Sequence, residues 1–323
     1  MTADAGAPAR DFQTVDYEVS DRIATITIDN PPSRNGFNGT MRDDLIAAAR
    51  RADEDDAVRA VILTGRGKFF CPGADLSGGG STFDFKSSTH AEADKDGAGG
   101  ADGDGEAGGA GDTSGGRPTV DGFRRDGGGQ VALAFASLRK PIISAINGAA
   151  VGIGATMTLP TDMRIASTDA RFGFVFAHRG LVPEAASSWF LPRIVGITQA
   201  LDWVYTGRVF DAEEAKAGGL VSRVVAPEEL QSTAREMALA IVDRASAVSL
   251  GASRQLLWSM LTASSPWEAH RQDSRLIFEL GQQADAREGV ESFLEKRPPQ
   301  FPATVPADYP HFLPRFPDKD RIE

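Results

Sequence analysis

The sequence predicts an α/β fold followed by a helical carboxy-terminal block, and three patterns carry this prediction. Residues 24–28 alternate between apolar and polar side chains, which is typical of a strand with one buried face. Residues 60–63 and 142–146 are short, mostly apolar runs of the kind found in strands covered on both faces. From about residue 227 onward, apolar residues recur at helical spacing. Strands interleaved with helices indicate a layered α/β architecture.

The amino-terminal elements are predicted from local signals. Residues 30–32, Asn-Pro-Pro, end the first strand, because proline has no amide hydrogen to donate to a neighbouring strand. Thr40 followed three residues later by Asp43 resembles a capping box, a common start of a helix. Apolar residues then recur at helical spacing, so we expect a helix from about residue 41 to residue 52.

The composition changes to glycine, aspartate, alanine and serine between residues 77 and 129. Such a segment cannot bury enough apolar surface to offset the entropy that it would lose on ordering. We therefore predict a flexible insertion within a core domain of residues 1–226. Its Asp-Gly repeats do not have the spacing of a calcium-binding EF-hand loop, and we expect no metal site. The helical pattern resumes at residues 131–138.

The carboxy-terminal block, residues 227–323, is the candidate second domain. Its apolar residues predict four helices, at residues 230–242, 248–260, 265–280 and 286–295. The tail from residue 297 to residue 322 is rich in proline and aromatic residues, and proline disrupts both helices and inner strands. We therefore expect this tail to have no regular structure.

Composition and charge exclude several classes of function. The 323 residues carry a formal net charge of -11 with a pI near 5.0, whereas nucleic-acid binding needs a basic face, so we expect no nucleic-acid partner. The sequence shows neither a secretory signal nor an apolar run that could span a bilayer. Cys71 is the only cysteine, which we interpret as a small loop residue that forms no internal disulfide. These features favour a cytoplasmic location.

Two glycine-rich segments each follow a predicted buried strand, at residues 65–76 and 146–156. Glycine lets main-chain amides come close to a ligand, so both segments are candidate binding turns. A dinucleotide site is the alternative for the second segment, which contains Gly152 and Gly154. It is disfavoured because the third glycine and the acidic residue of that motif are missing.

Both segments resemble those of the crotonase superfamily, the enoyl-CoA hydratase/isomerase proteins. Residues 68–76, KFFCPGADL, are similar to its F-x-x-G-A-D-[IL] segment. Residues 140–154, KPIISAINGAAVGIG, are similar to its K-P-x-I-A-A-[IV]-x-G-x-A-x-G-x-G segment. The resemblance runs from about residue 15 to residue 301, apart from the insertion. Further blocks agree in order at residues 162–166, 170–173, 205–208, 212–215, 219–221 and 293–297.

The resemblance implies a crotonase-type spiral of ββα units with a carboxy-terminal helical domain, residues 227–323, that is used for trimerisation. The expected assembly is a homotrimer or a hexamer. The expected substrate is an acyl-CoA thioester, with coenzyme A as part of the substrate and no separate cofactor. The implied activity is chemistry on an enoyl thioester in fatty-acid metabolism, through an enolate that the protein stabilises.

The resemblance also implies an oxyanion hole. The backbone N–H groups of Ala74 and Ile153 would hold the thioester oxygen, and Gly73 would let the backbone approach it. Preorganised donors stabilise the negative charge that develops as the thioester becomes an enolate, and one such donor can be worth roughly 3 kcal/mol. The alternative is that both segments are ordinary turns between a strand and a helix.

Three cations are candidates for binding the coenzyme A portion of the substrate. Arg34 and Lys68 lie near the two turns in the sequence, and the family pattern suggests that Lys296 arrives from a neighbouring subunit. They would contact the phosphates or the adenine end of coenzyme A. Simple exposure to solvent is the alternative for each, because lysine is usually exposed.

The chain departs from the family pattern at the residues that transfer protons. Hydratases of this family use two glutamates, and the matching positions here are Thr156 and Phe176, which carry no carboxylate. Residues 180–188, GLVPEAASS, instead resemble the P-E-G-x-[ST]-[ST] block of peroxisomal-type Δ3,Δ2-enoyl-CoA isomerases, whose glutamate is the catalytic base. The matching residue is Glu184. The alternative is that Pro183 and Glu184 simply begin a helix.

The leading hypothesis is therefore Δ3 to Δ2 isomerisation of an enoyl-CoA through a dienolate, with Glu184 as the base. His178 is a second candidate acid or base, although a structural or pocket-lining role is the preferred interpretation. Three alternatives remain open from the sequence. These are hydration of a 2-enoyl-CoA with Glu184 or His178 activating water, thioester hydrolysis, and acyl-CoA binding without catalysis.

Overall fold

The computed structural model describes residues 11–84, 119–120, 123–313 and 316–317. The chain divides into two compact units, one formed by Met1–Ala74 with Gly127–Glu323 and the other by Asp75–Asp126. Most of the predicted insertion, residues 85–118 and 121–122, lies outside the described residues. In the second unit the described part contains a short 3₁₀ turn and a two-stranded antiparallel ladder.

The regular elements are numbered in chain order. The described strands are β1 Val15–Ser20, β2 Ile23–Ile28, β3 Ala60–Gly65, β4 Phe69–Cys71, β5 Thr119–Val120, β6 Phe123–Arg124, β7 Ile142–Ile146, β8 Ala149–Val151, β9 Met163–Ser167, β10 Arg171–Gly173, β11 Val209–Asp211 and β12 Arg223–Val225. The described helices are α1 Gly39–Glu54, α2 Gly127–Ala136, α3 Ile153–Thr156, α4 Ser187–Val195, α5 Ile197–Thr206, α6 Ala212–Ala217, α7 Leu230–Val242, α8 Ala247–Met260, α9 Pro266–Leu280, α10 Ala284–Glu295 and α11 Val305–Asp308.

The larger sheet has the strand order β1-β2-β3-β7-β9-β12. The β1–β2 pair is antiparallel, and the other neighbours are parallel. All six residues of β3 are buried, because this strand lies between β2 and β7 and is covered on both faces. The strands predicted at residues 24–28, 60–63 and 142–146 are confirmed.

The smaller sheet has the order β11-β10-β8-β4. Successive strand pairs, such as β3 with β4 and β7 with β8, contribute one strand to each sheet. Cys71 is the last residue of β4 and is fully buried, so the interpretation of this cysteine as a loop residue is wrong. Its small thiol side chain packs in the main hydrophobic core.

Helix α1 confirms the predicted helix but begins at a different cap. The side chain of Asn38, rather than that of Thr40, accepts a hydrogen bond from the backbone N–H of Met41 at 3.0 Å. Asn38 has extended backbone geometry, as N-cap residues do, and asparagine is as good a cap as serine or threonine. The capping-box prediction is therefore wrong, although the helix that it predicted is present.

Helix α2 begins at Gly127, four residues before the predicted start at residue 131 and inside the segment predicted as an insertion. Glycine disfavours a helix, so the helical pattern in the sequence did not predict this first turn. Packing outweighs that cost, because Gly128 and Gly129 are both buried.

The four predicted carboxy-terminal helices are confirmed as α7 to α10. Helix α7 packs the buried residues Leu230, Ala234, Ala238 and Val242 in one cluster with apolar side chains of β3, β7 and β9. The tail contains a further short helix, α11, whose Val305 is buried, so the prediction of no regular structure was wrong for this segment. The domain boundary at residue 227 stays a prediction. No helix in the described ranges is both long and apolar enough to cross a membrane.

Arg254 joins α8 to the end of α2. Its side chain is buried, pairs with Asp162 at 2.8 Å, and donates to the carbonyl oxygens of Phe135 and Ala136 at 3.1 and 2.8 Å. These carbonyls belong to the last turn of α2, where the helix itself offers no donor.

Replacing Arg254 by Met should lower the free energy of unfolding by about 3–5 kcal/mol, because it removes the charged partner of the part-buried Asp162 carboxylate and a donor to several buried carbonyl oxygens. Chemical denaturation checks this value. Arg50→Met is the matched control, since Arg50 is exposed on α1 and should change stability by no more than about 0.5 kcal/mol. Equal, small effects of both variants would contradict the structural role of Arg254.

Candidate active site

The two glycine-rich segments lie side by side because β4 and β8 are parallel neighbours. A Cβ atom built on Gly154 would lie 1.8 Å from the carbonyl oxygen of Cys71, and one on Gly148 would lie 2.0 Å from that of Lys68. Only glycine allows this approach. The close packing of these two backbones brings the turn that contains Ala74 next to the turn that contains Ile153.

The first turn is held by a contact with the loop before α1. Phe37 forms an isolated parallel bridge with Ala74, and its N–H group donates to the carbonyl oxygen of Gly73 at 2.9 Å. Gly73 has a φ of 125°, a conformation that residues with a side chain rarely adopt. The turn therefore depends on this glycine.

The second turn leads directly into α3. Gly152 has a φ of 57°, and its N–H group donates to the carbonyl oxygen of Gly173 at 2.8 Å. The N–H groups of Ala155 and Thr156 both donate to the carbonyl oxygen of Gly152 at 3.0 Å. The N–H groups of Ala74 and Ile153 are not among the backbone donors of either turn. Ile153 is the first residue of α3, where amides have no acceptor within the helix.

Glu184 lies beside the second turn. Its Oε1 atom accepts a hydrogen bond of 2.6 Å from the hydroxyl of Thr156 on α3. A Cβ atom built on Gly128 of α2 would lie 1.7 Å from Glu184 Oε2 and 2.4 Å from Ile153 Cδ1. The carboxylate of Glu184 and the side chain of Ile153 therefore lie close together, in space that the missing side chain of Gly128 leaves open.

The segment around Glu184 is not a helix start. Helix α4 begins only at Ser187, and the two preceding residues, Ala185 and Ala186, have φ values of 60° and 53°. Residues with a side chain disfavour this left-handed conformation, and such strain is concentrated at functional sites. The alternative that Pro183 and Glu184 merely begin a helix is thus wrong.

The negative charge of Glu184 also acts on the buried thiol of Cys71. Burial raises the pKa of Cys71 to about 12, and the negative charge of Glu184 adds to this increase. Cys71 is therefore an uncharged thiol at neutral pH and packs as a small apolar group.

The sequence profile of the enoyl-CoA hydratase/isomerase family matches residues 18–96 and 118–304. The chain belongs to this family.

Individual relatives agree with the family assignment. The chain is 38% identical over 292 residues to the enoyl-CoA hydratase ACTT3 of Alternaria alternata, covering 90% of this chain and 86% of that protein. It is 32% identical over 281 residues to the 1,2-epoxyphenylacetyl-CoA isomerase of Escherichia coli, covering 86% and 94% of the two chains.

The structure also resembles solved members of the family. A probable enoyl-CoA hydratase/isomerase from Mycobacterium abscessus superposes with a TM-score of 0.73 at 29% identity, covering 89% of this chain and 98% of that one. This similarity confirms the crotonase-type fold predicted from the two glycine-rich motifs. The carboxy-terminal helices are part of the described structure.

Two positions distinguish this member of the enoyl-CoA hydratase/isomerase family from the two-glutamate hydratases that it resembles. Thr156 and Phe176 stand where the family resemblance places the glutamates, and both residues are buried. Thr156 contacts Glu184, so a carboxylate is present at this place but comes from a different segment of the chain.

The remaining predicted site residues lie on the surface. Arg34, Lys68 and Lys296 are all exposed, and Arg34 and Lys296 are in the left-handed conformation at the ends of their helical turns. His178 is also exposed, and its ring lies within about 3 Å of where a Cβ atom on Gly207 would be, after the end of α5. The roles of all four side chains stay predictions.

Gly128 was missed by sequence analysis. It lies in the run Gly127–Gly129, which composition assigned to the insertion. Its place beside Glu184 depends on packing between segments that are far apart in the chain, so composition alone does not predict this contact. The signal that could have found it is the glycine run directly before an apolar helical pattern.

Proposed function

We propose that this protein isomerises 3-enoyl-CoA thioesters to 2-enoyl-CoA thioesters with Glu184 as the single catalytic base. The observation that carries the proposal is the position of one carboxylate, that of Glu184, beside Ile153, while Thr156 and Phe176 offer none. A 1,3-proton shift can use one base for both proton transfers, because the base that takes the proton can return it.

The reaction follows from this arrangement. The Glu184 carboxylate takes a proton from C2, and the electrons of the broken C–H bond enter a dienolate that extends from the thioester oxygen through C1, C2 and C3 to C4. The backbone N–H groups of Ala74 and Ile153 bind the thioester oxygen as its negative charge grows. Protonated Glu184 then returns the proton to C4, which leaves the double bond between C2 and C3.

Binding of coenzyme A is assigned to the cations named above. Arg34 and Lys68 would contact its phosphates or its adenine end, with Lys296 arriving from a neighbouring subunit, while Gly73 keeps the first turn open. The substrate brings the coenzyme A itself, and the proposed chemistry requires no further cofactor. A cytoplasmic location stays a prediction.

Hydration of a 2-enoyl-CoA is the second candidate, and the names of the relatives favour it. ACTT3 and the related protein of Rhodobacter capsulatus are described as enoyl-CoA hydratases, the second as a probable one. An isomerase also occurs among the relatives, in the E. coli protein that acts on 1,2-epoxyphenylacetyl-CoA. Hydration would require Glu184 or His178 to activate water.

The deciding experiment gives the purified protein matched 2-enoyl-CoA and 3-enoyl-CoA thioesters of several chain lengths and identifies the products. Conversion of the 3-enoyl to the 2-enoyl thioester, faster than formation of the 3-hydroxyacyl thioester, is the expected result. Predominant 3-hydroxyacyl-CoA would establish the hydratase instead. Release of free coenzyme A would indicate hydrolysis, and binding without turnover would indicate a non-catalytic protein.

A homotrimer or hexamer is the proposed assembly. Helices α8, α9 and α10, together with Leu261 directly after α8, expose several large apolar side chains, which is unusual for a surface that faces only water. These residues are Leu257, Leu261, Trp267, Ile277, Phe278, Val290, Phe293 and Leu294. Sedimentation at micromolar concentration should give three or six times the 34.2 kDa chain mass. A monomer under these conditions would contradict the assignment.

A further inference from the structure

We infer that Thr156 is a positioning residue: its hydroxyl holds Oε1 of Glu184 and thereby fixes the orientation of the carboxylate that exchanges protons with the substrate. This inference rests on the proposed role of Glu184 as the base. It assigns a purpose to a residue that sequence comparison marks only as the loss of a carboxylate.

The hydrogen bond is well placed for this purpose. Thr156 is fully buried, and its Oγ1 atom is 2.6 Å from Glu184 Oε1 but 3.3 Å from the carbonyl oxygen of Gly152. A hydroxyl has one proton to donate, and a short bond to a charged oxygen is about twice as strong as one to a neutral carbonyl. The proton of Thr156 is therefore directed to Glu184.

The two carboxylate oxygens of Glu184 have different surroundings. Oε1 accepts a hydrogen bond from the hydroxyl of Thr156, whereas Oε2 lies against Gly128, in the place that a side chain there would occupy, and near Ile153. Thr156 and Ile153 are the two ends of the four-residue helix α3. One short rigid element thus fixes the base and also carries a proposed oxyanion donor, which sets the distance between proton removal and charge stabilisation.

The test compares Thr156→Val, which keeps the shape of the side chain but removes the hydroxyl, with Thr156→Ser, which keeps the hydroxyl. For the valine variant we expect kcat to fall by about 10- to 100-fold, the loss of one hydrogen bond to a charged group, with KM changed by less than about 3-fold. Serine should restore most of kcat. Thr158→Val is the matched control, because Thr158 is equally buried and its hydroxyl donates only to the carbonyl oxygen of Ala155 among the described contacts.

A double-variant cycle separates positioning from a merely structural role. If Thr156 acts through Glu184, then Thr156→Val should cause little further loss in a Glu184→Gln background. An equal loss in both backgrounds, or an equal loss for the valine and serine variants, would overturn the inference. Thermal unfolding of each variant shows whether the protein is folded in the assay.

A second readout makes failure of this inference distinguishable from failure of the proposed function. In deuterated water, exchange of the C2 proton of a saturated acyl-CoA reports on the base and the oxyanion donors without requiring a double bond. Exchange that depends on both Glu184 and the Thr156 hydroxyl supports the inference even if the protein proves to be a hydratase. Exchange that depends on Glu184 but is unaffected by Thr156→Val would reject it.

Discussion

Replacing Glu184 by Gln should lower the rate of 3-enoyl-CoA isomerisation by at least the ~100-fold that is typical of a positioned acid or base. Glutamine keeps the size of the side chain and can still accept a hydrogen bond from Thr156, but it cannot take a proton. Binding of acyl-CoA should persist, because the proposed oxyanion donors are backbone groups of Ala74 and Ile153 that the substitution does not alter. Steady-state kinetics and calorimetric binding measure the two effects separately.

Glu213→Gln is the matched control for this variant. Glu213 is an exposed carboxylate in the first turn of α6, and its loss removes the same charge far from the proposed chemistry in sequence. The control should keep turnover within about 2-fold and change stability by no more than about 1 kcal/mol. Near-native turnover of Glu184→Gln would show that the catalytic assignment is wrong, and His178 would then be the next residue to replace.

Replacing Gly128 by Ala should lower turnover by about 100-fold, the loss that a misplacement of about 1 Å can cause in an active site. The new methyl group would lie 1.7 Å from Glu184 Oε2 and 2.4 Å from Ile153 Cδ1, well inside van der Waals contact. Because both distances are too short, the carboxylate and the Ile153 side chain must both move away from the new methyl group. The resulting overpacking should also cost about 1–3 kcal/mol of stability, which thermal unfolding measures.

Gly127→Ala is the control, because it places the same methyl group one residue earlier on the same helix. At that position the nearest atom is Phe37 Cε1 at 3.4 Å, an ordinary contact. Neither glycine is in the left-handed conformation, so both substitutions are compatible with the backbone of α2. Comparable turnover in the two variants would show that the space at Gly128 is not needed for the reaction.

Much of the fold was predictable because its signals are local. Apolar residues at strand or helix spacing predict the buried strand β7 and the helices α7 to α10. The cap of α1 and the start of α2 were mistaken, since several polar residues can cap a helix and glycine is a weak indicator of helix. In the tail, the short helix α11 buries Val305, and no local sequence pattern predicts this burial.

The sequence by itself determined the family and the pair of turns that contain Ala74 and Ile153, because each motif is a continuous stretch whose glycines are required by close backbone contact. It also pointed to Glu184 as an acid in an unusual position. Only the tertiary structure decided what surrounds that acid. Thr156 lies 28 residues from Glu184 in the chain and Gly128 is farther still, and packing of α2, α3 and the segment before α4 brings the three together. No periodic pattern in the sequence predicts this contact. It depends on how much space is left between packed elements, and not on the pattern of residues within a single element.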